Sequence, residues 1–280
     1  MRDDKVTIAK GIGILLMVAA HAGIPDMVNR FIVMFHMPLF FFMSGYCFKE
    51  KYLLPPITFI NKRIKGLYVP FVKWSLLFLL LHNVFFYLNI YNGEYGFKGE
   101  VSYLYSWKEY VIRCIRIMLG LHGQEQLLGG YWFLPQLLYA SVIGFFAIKY
   151  VKNIYVSVLV AILATVVTSY YHLSVPFWHI GSLALLATTF FLMGFVYKKK
   201  MDNLCHWYLA LLFAAVVAIG SVLWPATMLR YSAQDVPFYV ITAICGTLMV
   251  LTISQWLSHQ ENRLKHVLVY IGNNTITVLT

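Results

Sequence analysis

The 280-residue sequence predicts an all-α fold, a polytopic transmembrane helical bundle, and three observations predict it. Apolar residues make up 60% of the chain and charged residues only 12%, against about 25% charged in an ordinary soluble domain. The mean hydropathy is +0.71. The apolar residues gather into about nine runs, most of them close to the ~20 residues that a helix needs to cross a bilayer.

In chain order the runs are Ile8 to Ile24, Phe31 to Phe48, Leu67 to Leu88, Tyr131 to Tyr150, Ile154 to His172, Trp178 to Tyr197, Trp207 to Trp224 and Pro237 to Leu257. A ninth begins at Val267 and meets the end of the sequence after 14 residues, so a final span is expected to be missing or incomplete. No soluble domain, fixed-period repeat or low-complexity linker interrupts them, which predicts one transmembrane domain over 1–280. The longest connection, Asn89 to Gly130, holds a helical stretch from Trp107 to Leu121 expected to lie in the membrane interface. Around it, Tyr95, Phe97, Tyr103, Tyr105 and Trp107 form a headgroup belt or a sugar-stacking surface.

Lys and Arg concentrate in cytoplasmic loops, and that rule places the N-terminus inside. The inner segments then hold 16 cations, including Lys5, Lys10, Lys62, Arg63, Lys65 and Lys73, against Asp3, Asp4, Glu50, Asp202 and Glu261, which accounts for the whole net charge of +11. Such a surface attracts anionic lipid headgroups, and part of it can hold an anionic cosubstrate. Nucleic acid is excluded as a partner, because the charge is spread over several short loops. Cys47, Cys114, Cys205 and Cys245 show no CxxC spacing, so neither a disulfide nor a metal cluster is expected. Ala20-His21-Ala22 has the small-x-small look of a signal-peptidase site, but the charged segment before it is weak and eight further apolar runs commit the chain to the membrane.

The residues that stand out chemically are Lys10 and His21 in the first run. Eleven residues turn a helix by about 1100°, roughly 20° past three full turns, and rise about 16 Å. Both side chains therefore share a face, the cation at the cytoplasmic edge and the imidazole deep in the bilayer. A titratable group within a span costs free energy and is a functional suspect. The second run carries Phe35-His36-Met37-Pro38, where Pro38 should bend the helix and leave a carbonyl without its usual partner. About a hairpin midpoint near Val28 to Asn29, His21 and His36 fall at similar depth, either as a proton-handling pair or as an interhelical hydrogen bond fastening the hairpin. No Asp or Glu lies within a predicted span to complete a metal site. Gly11-x-Gly13 lacks the rest of a nucleotide fingerprint and is better explained by close helix packing. His82, His122, His172 and His179 fall on the outer side, as interfacial side chains with tips in water or around an acceptor entrance.

The run Lys10-Gly11-Ile12-Gly13-Ile14-Leu15-Leu16-Met17-Val18-Ala19-Ala20-His21, followed by Phe35-His36-Met37-Pro38-Leu39-Phe40-Phe41-Phe42-Met43-Ser44-Gly45, resembles the opening of the membrane-bound acyltransferase family three, closest to its fucose 4-O-acetylase-like branch. Lys62-Arg63-Ile64-Lys65-Gly66-Leu67-Tyr68-Val69-Pro70 is similar to that family's basic loop before the third helix, with Gly66 where many members have a second arginine. Tyr131-Trp132-Phe133-Leu134 resembles its Trp-Phe-Leu element, and Ile271-Gly272-Asn273-Asn274-Thr275 its late Gly-x-Asn-Ser/Thr turn. The resemblance implies about ten helices in a bacterial inner (plasma) membrane. It also implies acyl transfer from a cytoplasmic donor, usually acetyl-CoA, to a hydroxyl of a sugar or cell-surface glycan, with no bound cofactor.

That chemistry fits the residues. A hydroxyl attacking a thioester needs a base, which His21 supplies either directly or by carrying the acyl group for a moment, while His36 orients it or donates to the developing oxyanion. Lys10, with Lys62, Arg63 and Lys65, is expected to hold the CoA phosphates, at a distance from His21 on the order of a pantetheine arm. Lys10 as a snorkelling anchor and Trp132 as an interfacial anchor, rather than a pocket wall, are the plainer readings. The competing function is a proton-coupled secondary transporter using the same histidines; no second Lys-to-His pair or His-x-Pro element appears in the C-terminal half to suggest paired repeats.

Overall fold

The computed structural model of the protein describes residues 4–94, 99–200 and 207–275. Arg2, Asp3, Tyr95, Phe97, Asp202, Cys205, the side chain of Lys200 and the end of the ninth run from 276 onward lie outside the described residues. The helices are α1 Asp4–His21, α2 Asp26–Val33, α3 His36–Tyr46, α4 Pro56–Arg63, α5 Val69–Tyr87, α6 Trp107–Ile115, α7 Phe133–Tyr150, α8 Ile154–Tyr170, α9 Ser182–Lys200, α10 Trp207–Leu223, α11 Val236–Ser258 and α12 Arg263–Asn273. Among the described residues the only sheet is a two-stranded hairpin of β1 Ser174–Val175 and β2 Ile180–Gly181.

The protein is an all-α polytopic bundle. Among the described residues five helical stretches are long and apolar enough to cross a membrane: Asp26–Tyr46, Pro56–Tyr87, Gln126–Tyr150, Ser182–Lys199 and Val236–Ser258. Ile154–Tyr170 and Trp207–Leu223 are shorter apolar helices. The nine expected runs therefore fall mainly on helices, but α1 carries Asp4, Lys5 and Lys10, and α12 is only 11 residues long.

Two compact units emerge. The first comprises Met1–Lys51, Ala140–Leu173 and Gly181–Thr280; the second comprises Tyr52–Tyr139 and Ser174–Ile180. In the first unit, glycines let helix backbones touch. A side chain on Gly45 of α3 would run into the carbonyl of Phe191, and one on Gly194 of α9 into the carbonyl of Phe42, so α3 and α9 are held together reciprocally. Gly11 of α1 meets the Leu268 carbonyl of α12 in the same way, which is the packing role expected of the Gly11-x-Gly13 pair. Lys265 clamps that end, 2.7 Å from Glu261 and 3.6 Å from Asp4. Phe48 adds edge-to-face contacts with Phe145, Phe191 and Phe195.

Several hydroxyls inside the helices bond the carbonyl one turn back, as apolar surroundings favour. Thr165 donates to the Ala161 carbonyl at 2.8 Å, Thr188 to that of Ala184 at 2.7 Å and Ser254 to that of Val250 at 2.7 Å. In the second unit α4 and α5 form one continuous 32-residue helix through a π-helical turn, Ile64–Tyr68. The turn ends two residues before Pro70, whose ring would otherwise strike the carbonyl of Gly66 four residues back. The expected interfacial stretch Trp107 to Leu121 is α6 followed by a second π turn, Arg116–Gly120. It starts at a capping box in which the Ser106 backbone N–H donates to the Glu109 carboxylate at 2.7 Å.

Candidate active site

Helix α1 runs unbroken from Asp4 to His21, so Lys10 and His21 do share one helix at the expected rise of about 16 Å. Gly23 adopts φ +73° and Pro25 follows, which ends α1 at His21 and puts the imidazole in the last turn. A basic group there is favoured by the helix dipole. His21 is exposed, while Lys10 is half-buried.

The hairpin also turns earlier than the sequence suggests, at residues 22–25 instead of Val28 to Asn29, because α2 already starts at Asp26. The chain then breaks at Met34 and Phe35, where Phe35 leaves helical geometry at φ −136°. Pro38 explains that break and its position. Its ring clashes with the carbonyl four residues earlier, that of Met34, so α3 begins after it and Pro38 falls in the first turn, where a missing N–H costs nothing. The proline thus separates two helices rather than bending one. Phe35 is packed to 1% exposure, and a side chain on Gly246 of α11 would collide with its ring, so the break is held in place.

His36 is the first residue of α3 and is buried. Its Nδ1 lies 3.0 Å from the Ile32 carbonyl. A carbonyl oxygen only accepts, so Nδ1 carries the hydrogen and the neutral ring presents its lone pair at Nε2. The charge of His21 acts on His36, so the break brings the two imidazoles into electrostatic range although they stand at different places along the hairpin.

The basic cluster of the second unit is helical, not a loop. Lys62 and Arg63 close α4 and Lys65 stands in the π turn, because Pro56 starts the helix and no further proline follows before Pro70. Lys62 donates to the Tyr52 hydroxyl at 2.9 Å, and the Arg63 guanidinium sits 5.0 Å from the Phe59 ring centre. Lys65 is exposed. Trp132 ends a short 3₁₀ segment, Gln126–Trp132, half-buried and edge-on to Phe133. Beside it in sequence, the hydroxyl of Tyr131 and the Oε1 of Gln136 are buried and lack a hydrogen-bond partner among the described residues.

The sequence missed a second histidine. His82 on α5 is expected to reach water with its tip, and instead it is fully buried. Its Nδ1 is 3.0 Å from the Glu125 carboxylate, its Nε2 is 2.9 Å from the Tyr103 carbonyl, and its ring stacks on Tyr105 at 3.4 Å. Arg113 lies 4.1 Å over the same Tyr105 ring, and burial, with the nearby Glu125 charge, pushes the Tyr91 phenol well up. Glu125 is 43 residues from His82, so no local spacing announces the pair.

Comparison with known families matches the description "Acyltransferase domain", Acyl_transf_3, over residues 3–279. Comparisons with curated proteins and with solved structures found no match.

Proposed function

This chain belongs to the acyltransferase 3 family, and from that premise we propose that it is a membrane-embedded O-acyltransferase moving an acetyl or other short acyl group from acyl-CoA to a hydroxyl of a sugar or cell-surface glycan. The resemblance of α1 and α3 to the fucose 4-O-acetylase-like branch supports a sugar acceptor. We place it in a bacterial plasma membrane with the N-terminus in the cytoplasm, where acyl-CoA is made.

The observation that carries the reading is the tethered His36, whose Nε2 lone pair is left open beside His21. His21, exposed at the end of α1, takes the proton of the acceptor hydroxyl as its oxygen attacks the thioester carbonyl. The carbon–sulfur bond breaks, and the thiolate leaves as CoA after taking a proton. His36 accepts a hydrogen bond from His21 through Nε2, holding the base in the tautomer that can receive the proton, as a positioning residue. Lys10, about 16 Å down α1 from His21, meets the phosphate end of a CoA whose pantetheine arm spans that order of distance. Lys62, Arg63 and Lys65 are phosphate partners on their own charge and helical spacing, and Trp132 with Tyr131 and Gln136 contacts the substrate.

Purified protein given labelled acetyl-CoA and a mixture of hydroxylated glycans should transfer label to an acceptor, and His21→Ala should abolish it. Uptake of a solute driven by a proton gradient, with no label transferred and no dependence on CoA, would replace this reading with transport.

A further inference from the structure

A second cluster of imidazoles lies within the second unit. The π turn Arg116–Gly120 ends with Leu121 at φ +54°, and His179 in the 174–180 segment has φ +49°. Two non-glycine residues in the left-handed region at one corner is an expensive arrangement of a kind that gathers at ligand clamps. Both position imidazoles. The rings of His122 and His179 meet edge to face with centres 4.4 Å apart. Gly120 makes room for this: a side chain there would come within 2.8 Å of the His122 ring and 3.1 Å of the Phe177 carbonyl.

The groups acting on His122 are basic. They are His179 and Arg116; with burial first, they hold His122 below its ordinary value, against the opposing effect of its hydrogen bond to the Phe177 carbonyl. Arg116 is exposed. This corner therefore carries one fixed positive charge and two imidazoles that an incoming anion would help to protonate. Beside them is a fixed aromatic face. Trp178 is 44% exposed although its indole N–H is already spent on the Leu119 carbonyl at 3.0 Å, and its own carbonyl accepts from the Tyr139 hydroxyl at 3.1 Å. What it offers outward is a flat π surface with no donor left, suited to the C–H face of a pyranose ring.

We propose that Arg116, His122 and His179 bind the carboxylate or phosphate of an anionic saccharide whose ring stacks on Trp178, making the acceptor an acidic sugar. The word acceptor rests on the acyl-transfer reading; the binding site does not. The test is therefore calorimetric titration of the full chain in phosphatidylcholine nanodiscs, without acyl donor, using glucuronate, glucose 1-phosphate and glucose.

Both anions should bind at least tenfold more tightly than glucose, with uptake of protons and with affinity rising from pH 8 to pH 6 as the imidazoles become charged. Arg116→Gln should weaken both anions at least tenfold with unchanged melting, and His179→Asn, which tolerates the left-handed backbone, should weaken both by a smaller factor. Trp178→Leu should weaken glucuronate but not acetate. Equal binding of glucose, no binding of either anion, or anion binding indifferent to Arg116→Gln overturns the proposal. Displacement of glucuronate by phosphatidylglycerol in the disc would assign the corner to a lipid headgroup and also overturn it. Anion binding in a protein that transfers no acetyl group would leave this site standing and remove the reading of the protein as an acyltransferase.

Discussion

His36 and His82 are both buried histidines on apolar helices, and their surroundings differ in one respect that decides what each can do. His36 has one nitrogen committed to the Ile32 carbonyl and the other uncommitted, next to a second, exposed imidazole. His82 has both nitrogens committed, to Glu125 and to the Tyr103 carbonyl, with Tyr105 covering its face. Holding His21 in place as the base takes a ring nitrogen with a free lone pair, and only the first arrangement leaves one. The second ties residues 103, 105 and 125 of the long connection to α5. Burial alone does not distinguish a reactive histidine from a fastening one; the account of its two nitrogens does.

Substitutions should therefore separate activity from stability. The largest effect is expected on turnover: His21→Ala should lower acyl transfer by roughly 10²- to 10⁴-fold with an unchanged melting transition. Next, His82→Ala should destabilise the protein by about 3 to 5 kcal/mol, because it strands a buried carboxylate. A double replacement of His82 and Glu125 by Leu should recover much of that loss in denaturant titration. If His82→Ala instead melted normally and lost only turnover, the contrast between the two histidines would collapse. Replacing Arg113 by Met removes the cation over Tyr105 and should cost up to about 2 kcal/mol in the same titration.

The smallest effect concerns the start of α6, where Ser106→Ala should cost about 1 kcal/mol. The pH dependence there has a definite sign. The Ser106 backbone bond holds the Glu109 carboxyl below its ordinary value of 4.5, so its contribution is complete above that pH and fades as pH falls through the lower folded value. Thermal melts of wild type and Glu109→Ala should draw together in that acid range and stay apart near neutrality.

The fold class was readable because apolar runs of helical length leave few alternatives, and the Lys10-to-His21 spacing survives because α1 is one uninterrupted helix. Pro38 was recognised as disruptive to a carbonyl before it, but a bend was expected where a break occurs: the helix stops at Met34 and Phe35, which lifts His36 into the first position of a new helix. The basic stretch around Arg63 looked like a loop because charge and glycine suggest one, whereas a π turn carries the helix through to Pro70. His82 was misjudged for a different reason. Its partners come from residues 103, 105 and 125, and contacts made across the long connection leave no periodic trace in the chain.

The most direct test uses His36→Asn. Its side-chain amide can still donate to the Ile32 carbonyl and keep the start of α3, but it cannot offer a basic ring nitrogen to His21. With melting unchanged, transfer of labelled acetyl from acetyl-CoA should fall at least 100-fold, in line with the loss of acid–base assistance. Wild-type transfer by that variant would show that the open nitrogen of His36 takes no part in the chemistry.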